Sequence, residues 1–313
     1  MRLVVALGGN ALLKRGEPMT AAAQRANIVI AATSLAALVR DGHQITLTHG
    51  NGPQVGLIAL QAAAGPRDGF YPLDILGAES EGMVGYLIEQ ELRNAMPEGT
   101  QFATLLTQVR VDLSDVAFRH PTKPIGPIYD EPSARRLEKE KGWVCARDGE
   151  AWRRVVSSPE PLEIMELTAV RLLVKAGMVV ICAGGGGVPM ARRSVGGYAG
   201  VEAVIDKDRT TALLAEALEA DMLLLLTDVD GVYLRFGEPG AARIRRAGAQ
   251  ALSQDVFVAG SMGPKVGAAI RFVRASGRPA AIGRLEDALA LIAGSAGTTI
   301  TNGSSPILED ATR

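Results

Sequence analysis

Lysines beside short glycine turns are the residues of this sequence with chemistry to offer. Lys207 stands in Val204-Ile205-Asp206-Lys207-Asp208-Arg209-Thr210-Thr211, Lys265 in Gly260-Ser261-Met262-Gly263-Pro264-Lys265, and Lys123 in Pro121-Thr122-Lys123-Pro124-Ile125-Gly126-Pro127. A lysine is ordinarily a solvated surface charge. The first two, however, fall where a helix is expected to begin, an end whose dipole disfavours a cation, and the third is fixed between prolines. An anion sharing the site would offset that cost. Two glycine turns supply matching donors: Gly8-Gly9-Asn10 after the apolar run Val4-Val5-Ala6-Leu7, and His49-Gly50-Asn51-Gly52-Pro53 after Ile45-Thr46-Leu47-Thr48. A strand–turn–helix junction aims bare N–H groups and a helix N-terminus at one spot, and glycine lets an anion approach the main chain. Backbone amides and ammonium groups around a crevice meet the needs of phosphoryl transfer, which are alignment and neutralisation of charge rather than a protein nucleophile. One such donor is worth on the order of 10²–10³ in rate.

Other polar residues admit two readings each. Asp206 and Asp208 suit a helix N-cap pair, while Asp208 also suits an organiser that holds two lysines. Thr227-Asp228-Val229-Asp230-Gly231-Val232-Tyr233 closes a strand either as a structural Asx turn or as the wall of a nucleotide pocket. The second is favoured because the carboxyl ends of parallel strands form the ligand edge. His49 either braces its turn or touches ligand, and His43, after Asp41-Gly42, suits a turn. The sequence holds no G-x-x-x-x-G-K-[ST], no G-x-G-x-x-G, no G-x-S-x-G and no His/Cys cluster with metal-ligand spacing, which argues against P-loop, dinucleotide, serine-hydrolase and zinc chemistry.

The elements that must position these groups alternate in type. Apolar runs suggest strands near 2–7, 44–48, 101–109, 178–183, 201–205, 222–227, 279–282 and 298–301. Helical patterns lie near 20–41, 53–64, 75–95, 162–176, 208–220, 262–276 and 285–293. Such alternation indicates an α/β fold with a mainly parallel sheet and crossover helices, and the unbroken run Met222-Leu223-Leu224-Leu225-Leu226 indicates a sheet covered on both faces. Residues 112–160 break the rhythm with Pro121, Pro124, Pro127, Pro132 and Pro159 around the charged run Arg135–Lys141. An insertion of that length suggests a protruding lid or interface. Gly184-Gly185-Gly186-Gly187 must be a loop. The chain has 313 residues, 47% hydrophobic and 21% charged, with a net charge of −1. Near-neutral charge argues against a nucleic-acid or anionic-membrane partner, and 4% aromatics argue against a stacking platform for single strands. Two cysteines make no disulfide framework and fit a reducing cytoplasm. No membrane partner is expected.

Seven segments in order resemble the carbamate kinases, a branch of the amino acid kinase family: Val4–Asn10, His49–Gly56, Leu106–Val111, Pro121–Pro127, Cys182–Pro189, Gly200–Asp208 and Gly260–Lys265. The resemblance implies a three-layer αβα sandwich with a mainly parallel central sheet and a protruding subdomain. It implies a carbamate half over 1–195, with residues 112–160 as the lid, and a nucleotide half over 196–313. It also implies reversible phosphoryl transfer between MgATP and carbamate, giving ADP and carbamoyl phosphate, in a cytoplasmic homodimer that serves arginine breakdown. On matching positions, Gly8, Gly9, Asn10, Asn51 and Gly52 would bind the carbamate or phosphoryl group. Lys207 and Lys265 would neutralise charge, Asp208 would orient them, and Lys123 would reach over from the lid. Thr227, Asp228, Val229, Tyr233, Met262 and Gly263 would line the nucleotide pocket. Relatives in the wider family carry a lysine two residues before the first glycine of the opening turn; here that residue is Ala6, and Lys123 is the natural substitute. Another enzyme of the family acting on a different carboxylate or phosphonate, and a non-catalytic nucleotide sensor on the same fold, are the competing readings.

Overall fold

The structure, a computed structural model, describes residues 1–14, 16–64, 71–252, 262–304 and 308–309, and leaves the side chains of 10, 11, 308 and 309 undescribed. Its centre is a sheet that runs Val232–Leu234, Ala242–Gly248, Thr298–Thr301, Ala280–Arg284, Met222–Thr227, Arg2–Leu7, Gln44–His49, Val179–Ile181, Phe102–Thr104, with Leu308–Glu309 beside Ala242–Gly248. From Ala280–Arg284 through Phe102–Thr104 every pairing is parallel. Alternation then divides the apolar runs between two cores. Leu3, Val5 and Leu7 face helices Ala21–Arg40, Leu73–Ala95 and Ala288–Ile292. Val4 and Ala6 face helices Leu167–Lys175, Lys207–Ala217 and Met262–Ser276. The αβα sandwich follows from that division, since a strand apolar on both faces is satisfied only between two helical layers. Helix Ala21–Arg40 is long and apolar enough to cross a bilayer by length and composition. Here its Ile28, Ala31, Ala32 and Leu35 are spent on the core.

Several expected elements differ. Residues 201–205, although apolar, join no ladder: Val201 N–H donates to Pro189 O and Val204 N–H to Ser157 O, one bond each to different segments. The strand expected over 101–109 is two strands in different sheets, Phe102–Thr104 in the central sheet and Gln108–Arg110 in a four-stranded one. The helix expected from 162 starts at Leu167, after a short strand at Glu163–Ile164. Inside 112–160, strands Lys123–Tyr129, Ala151–Val156 and Val144–Asp148 form a small antiparallel sheet, with helix Glu131–Lys141 capped by Asp130. That unit sits on helices Gly52–Ala64 and Leu73–Ala95 through Val55, Ala59, Leu76, Ile125 and Val156. The approach is closest at Gly56, where a Cβ would lie 1.9 Å from the Cα of Gly126.

Candidate active site

Three strand ends build one rim. Leu7 and His49 are directly paired at the carboxyl ends of neighbouring strands, and Leu7 pairs on its other side with Leu226, the residue before Thr227. Gly8 N–H donates to Leu226 O (3.0 Å) and Gly50 N–H to Leu7 O (3.1 Å). The glycines of the two turns then separate by duty. A Cβ at Gly8 would come within 2.9 Å of Leu226 O, one at Gly50 within 3.2 Å of Gly9, and one at Gly56 would overlap Gly126. Packing leaves no room for a side chain at Gly8 or Gly56 and crowds one at Gly50. Gly9 and Gly52 begin helices Gly9–Leu12 and Gly52–Ala64, and a Cβ there would meet no described atom within 4 Å. Their bare backbone faces open space, which leaves room for a ligand against the main chain.

The lysines reach this rim from the opposite helical layer. Asp206 caps helix Lys207–Ala217 by accepting from the N–H groups of Asp208 (2.9 Å) and Arg209 (3.4 Å). The cap sets Lys207 in the first turn, where its Nζ donates to Leu7 O at 3.1 Å. Asp208 lies between two ammonium groups, Lys207 at 2.8 Å from Oδ1 and Lys265 at 3.2 Å from Oδ2. The first is an ion pair rather than an aligned hydrogen bond. All three side chains are buried. Burial pulls the Lys207 pKa below the usual lysine value; Asp208 opposes that and Lys265 adds to it. Lys123, on the first strand of the small sheet, reaches Asp206 Oδ2 at 2.7 Å. Burial works to raise the Asp206 pKa, but the Lys123 ammonium overcomes it and holds that carboxyl well below the usual range. Asp206 is thus the helix cap, and Asp208 bridges the two lysines.

Asn51 turns inward rather than into solvent: its Nδ2 donates to Ser80 Oγ at 2.7 Å. The tetraglycine turn packs on it. Ala183 and Gly185–Gly187 all have positive φ, and a Cβ at Gly185 would fall 2.1 Å from Asn51 Nδ2. His49 braces its turn. Its ring donates from Nδ1 to Gly50 O (3.1 Å), and burial first, then the nearby Lys207 charge, bring its pKa down to about 4, so it is neutral at pH 7. His43 closes the turn after helix Ala21–Arg40, with its N–H on Leu38 O. In the turn after the strand Met222–Thr227, Thr227 is buried at its strand end and donates to Asp228 Oδ1 (3.0 Å), while Tyr233 OH donates to Asp230 Oδ1 (3.0 Å). Val229 lies between them in the same loop, and Met262 and Gly263 form the first turn of the Lys265 helix. Gly260 and Ser261 lie outside the described residues, as does the side chain of Asn10.

Nothing in the sequence marks Ser80 and Glu81 within the helix expected near 75–95. Glu81 is buried and accepts from Gly184 N–H at 2.9 Å and Thr107 N–H at 3.4 Å. Burial pushes its pKa up to about 8. Among the described residues no group of three or more His, Cys, Asp or Glu could hold a metal ion.

Known proteins resemble this chain along most of its length. The profile of the amino acid kinase family matches residues 1–284. A carbamate kinase of Haemophilus influenzae is 52% identical over 301 residues, covering 96% of this chain and 97% of the relative. One of Rhizobium meliloti is 53% identical over 309 residues, covering 98% and 95%. The solved structure of Giardia lamblia carbamate kinase bound to AMP-PNP superposes with a TM-score of 0.86 at 40% identity, over 96% of this chain and 98% of that one.

Proposed function

The chain belongs to the amino acid kinase family, and from that membership we propose that it is a carbamate kinase, transferring a phosphoryl group reversibly between MgATP and carbamate. Identity near 50% to curated carbamate kinases along almost the whole chain supports the assignment. The observation that carries it chemically is Asp208 holding two buried ammonium groups against a rim of main-chain donors. In the ATP-forming direction a β-phosphate oxygen of ADP attacks phosphorus. The bond from phosphorus to the carbamate oxygen breaks, and carbamate leaves with that electron pair. Neither acceptor has a proton to lose, so no general base is required.

Each residue then has a part. Gly8, Gly9, Asn10, Asn51 and Gly52 hold the carbamate or the migrating phosphoryl group. Lys207 and Lys265 neutralise its oxygens and the leaving-group oxygen, and Asp208 fixes their spacing. Lys123, carried on the small sheet, serves as the lid cation in place of a lysine at position 6, where Ala6 is fully buried beneath the helix that carries Lys207. Thr227, Asp228, Val229, Tyr233, Met262 and Gly263 flank the nucleotide in the C-terminal half. Magnesium enters on the nucleotide as part of the substrate; the described carboxylates offer it no cluster, and the phosphates do. Use in arginine catabolism by a cytoplasmic homodimer completes the proposal. The test is ATP formation from ADP and carbamoyl phosphate by the purified chain. No ATP with carbamoyl phosphate as donor would refute the activity, and a monomer by light scattering would refute the dimer.

A further inference from the structure

A carbamate kinase must tell carbamate from carboxylates of the same shape, and the role inferred below for Ser80 rests on that activity. Carbamate differs from acetate in bearing an amino group where acetate has a methyl. Discrimination therefore needs a hydrogen-bond acceptor at that spot.

Asn51 has such an acceptor, and the structure fixes which way it points. Asn51 Nδ2 donates to Ser80 Oγ at 2.7 Å, and Ser80 Oγ donates its own proton to Gly77 O at 2.8 Å. A serine hydroxyl has one proton. With that proton committed to Gly77, Ser80 can only accept, so the amide nitrogen and not the oxygen of Asn51 must face it. The usual ambiguity of an amide flip is thereby removed. Gly185 fixes the plane: a Cβ there would fall 2.1 Å from Nδ2, 2.3 Å from Cγ and 2.4 Å from Oδ1, so the glycine backbone lies flat against the carboxamide. The turn that presses there is itself held, because Glu81 Oε1 accepts from Gly184 N–H at 2.9 Å. One turn of one helix, Gly77 to Glu81, thus grips both the carboxamide and its wall. Although Asn51 is only 5% exposed, its Oδ1 is not sealed off and accepts no hydrogen bond from the described residues.

We infer that Ser80 sets acceptor specificity by locking the Asn51 carboxamide with its oxygen toward the substrate, so that the site favours a carboxylate carrying an N–H donor. Carbamate and carbamoyl phosphate satisfy that oxygen, whereas acetate and acetyl phosphate leave it unpaired. A site built around such a bond rejects the analogue that lacks it, and one neutral hydrogen bond is worth about tenfold. Ser80 is a positioning residue; it acts through Asn51.

The experiment measures kcat/KM for ATP formation from ADP with carbamoyl phosphate and with acetyl phosphate, in wild type, Ser80→Ala, Asn51→Ala and the double variant. The expected result is a preference for carbamoyl phosphate that drops about tenfold in Ser80→Ala. The drop should come through KM for carbamoyl phosphate, with the KM for ADP unchanged. Asn51→Ala should lower the preference at least as far, and the double variant no further than Asn51→Ala alone. Equal losses with both donors, or an unchanged ratio in Ser80→Ala, would overturn the inference. Should that variant not fold, an unchanged ratio in Asn51→Ala overturns it instead. Wild type that uses carbamoyl phosphate without preference defeats this inference alone; wild type that makes no ATP from carbamoyl phosphate defeats the carbamate kinase assignment itself.

Discussion

Replacing Asp208 with asparagine should cost more stability than any other conservative change at the site. The carboxylate lies 2.8 Å from Lys207 Nζ and 3.2 Å from Lys265 Nζ. At an effective dielectric constant of about 20, those separations correspond to roughly 6 and 5 kcal/mol of attraction. Desolvation of the carboxylate and repulsion between the two lysines cancel much of that. Losing one partner of a buried ionic cluster leaves a net cost of about 3–5 kcal/mol. Asp208→Asn keeps the shape and removes the charge, so both buried ammonium groups lose the carboxylate they share. The deficit should depend on pH with a definite sign. Lys207 already has a folded-state pKa below the unfolded value of 10.5, and the substitution lowers it further. A base with a depressed folded pKa carries its full penalty at pH values below that pKa, where both states are charged. The penalty fades as pH rises from the folded pKa toward 10.5, because the folded lysine sheds its proton first. Urea unfolding of both proteins at pH 7 and pH 9.5 checks this: the gap in unfolding free energy should be about 3 kcal/mol or more at pH 7 and smaller at pH 9.5. A gap below about 1 kcal/mol at pH 7, or one that widens with pH, would show that Asp208 does not balance the two lysines.

Three further outcomes are expected. Lys265→Ala should lower turnover by about 10² or more while far-ultraviolet circular dichroism stays unchanged; near-normal kcat would remove Lys265 from the chemistry. Gly56→Ala drives a methyl into the Gly126 backbone, 1.9 Å away, and should cost about 3 kcal/mol or more, read as a lower urea midpoint; an unchanged midpoint would mean that the small sheet lifts away freely. Glu81, with its pKa raised from 4.5 to about 8, keeps its proton when folded and loses it when unfolded, so its contribution is fully present below pH 4.5 and drains away up to about pH 8. Glu81→Gln should flatten the decline in stability between pH 5 and pH 8, and an identical slope in both proteins would count against a buried protonated carboxyl.

Local sequence was sufficient wherever a short segment decides its own conformation. The runs Val4–Leu7 and Met222–Leu226 are strands because both of their faces are apolar. The glycine turns at 8–9 and 50–52 follow because the chain must leave the sheet there, and Asp206 begins a helix because its carboxylate reaches two orphan N–H groups. Segments that depend on a distant partner were not legible. Ala242–Gly248, arginine-rich and without an apolar run, is a strand because Thr298–Thr301 offers it an edge. Residues 201–205 have the strand composition and no edge, so they form no ladder. The glycines of one motif look alike in sequence, yet Gly56 answers to Gly126 and Gly52 to open space. The lysines followed the same division. Sequence identified Lys207 and Lys265 by the helix starts they occupy, but 57 residues separate Asp208 from Lys265. What brings both ammonium groups onto one carboxylate is the packing of two crossover helices on the same face of the sheet. Ser80 and Glu81 show the limit most clearly: helix periodicity places them, but only the fold of residues 184–187 against that helix turns two ordinary polar side chains inward, because a buried N–H or carboxamide must find a partner wherever the chain has left one.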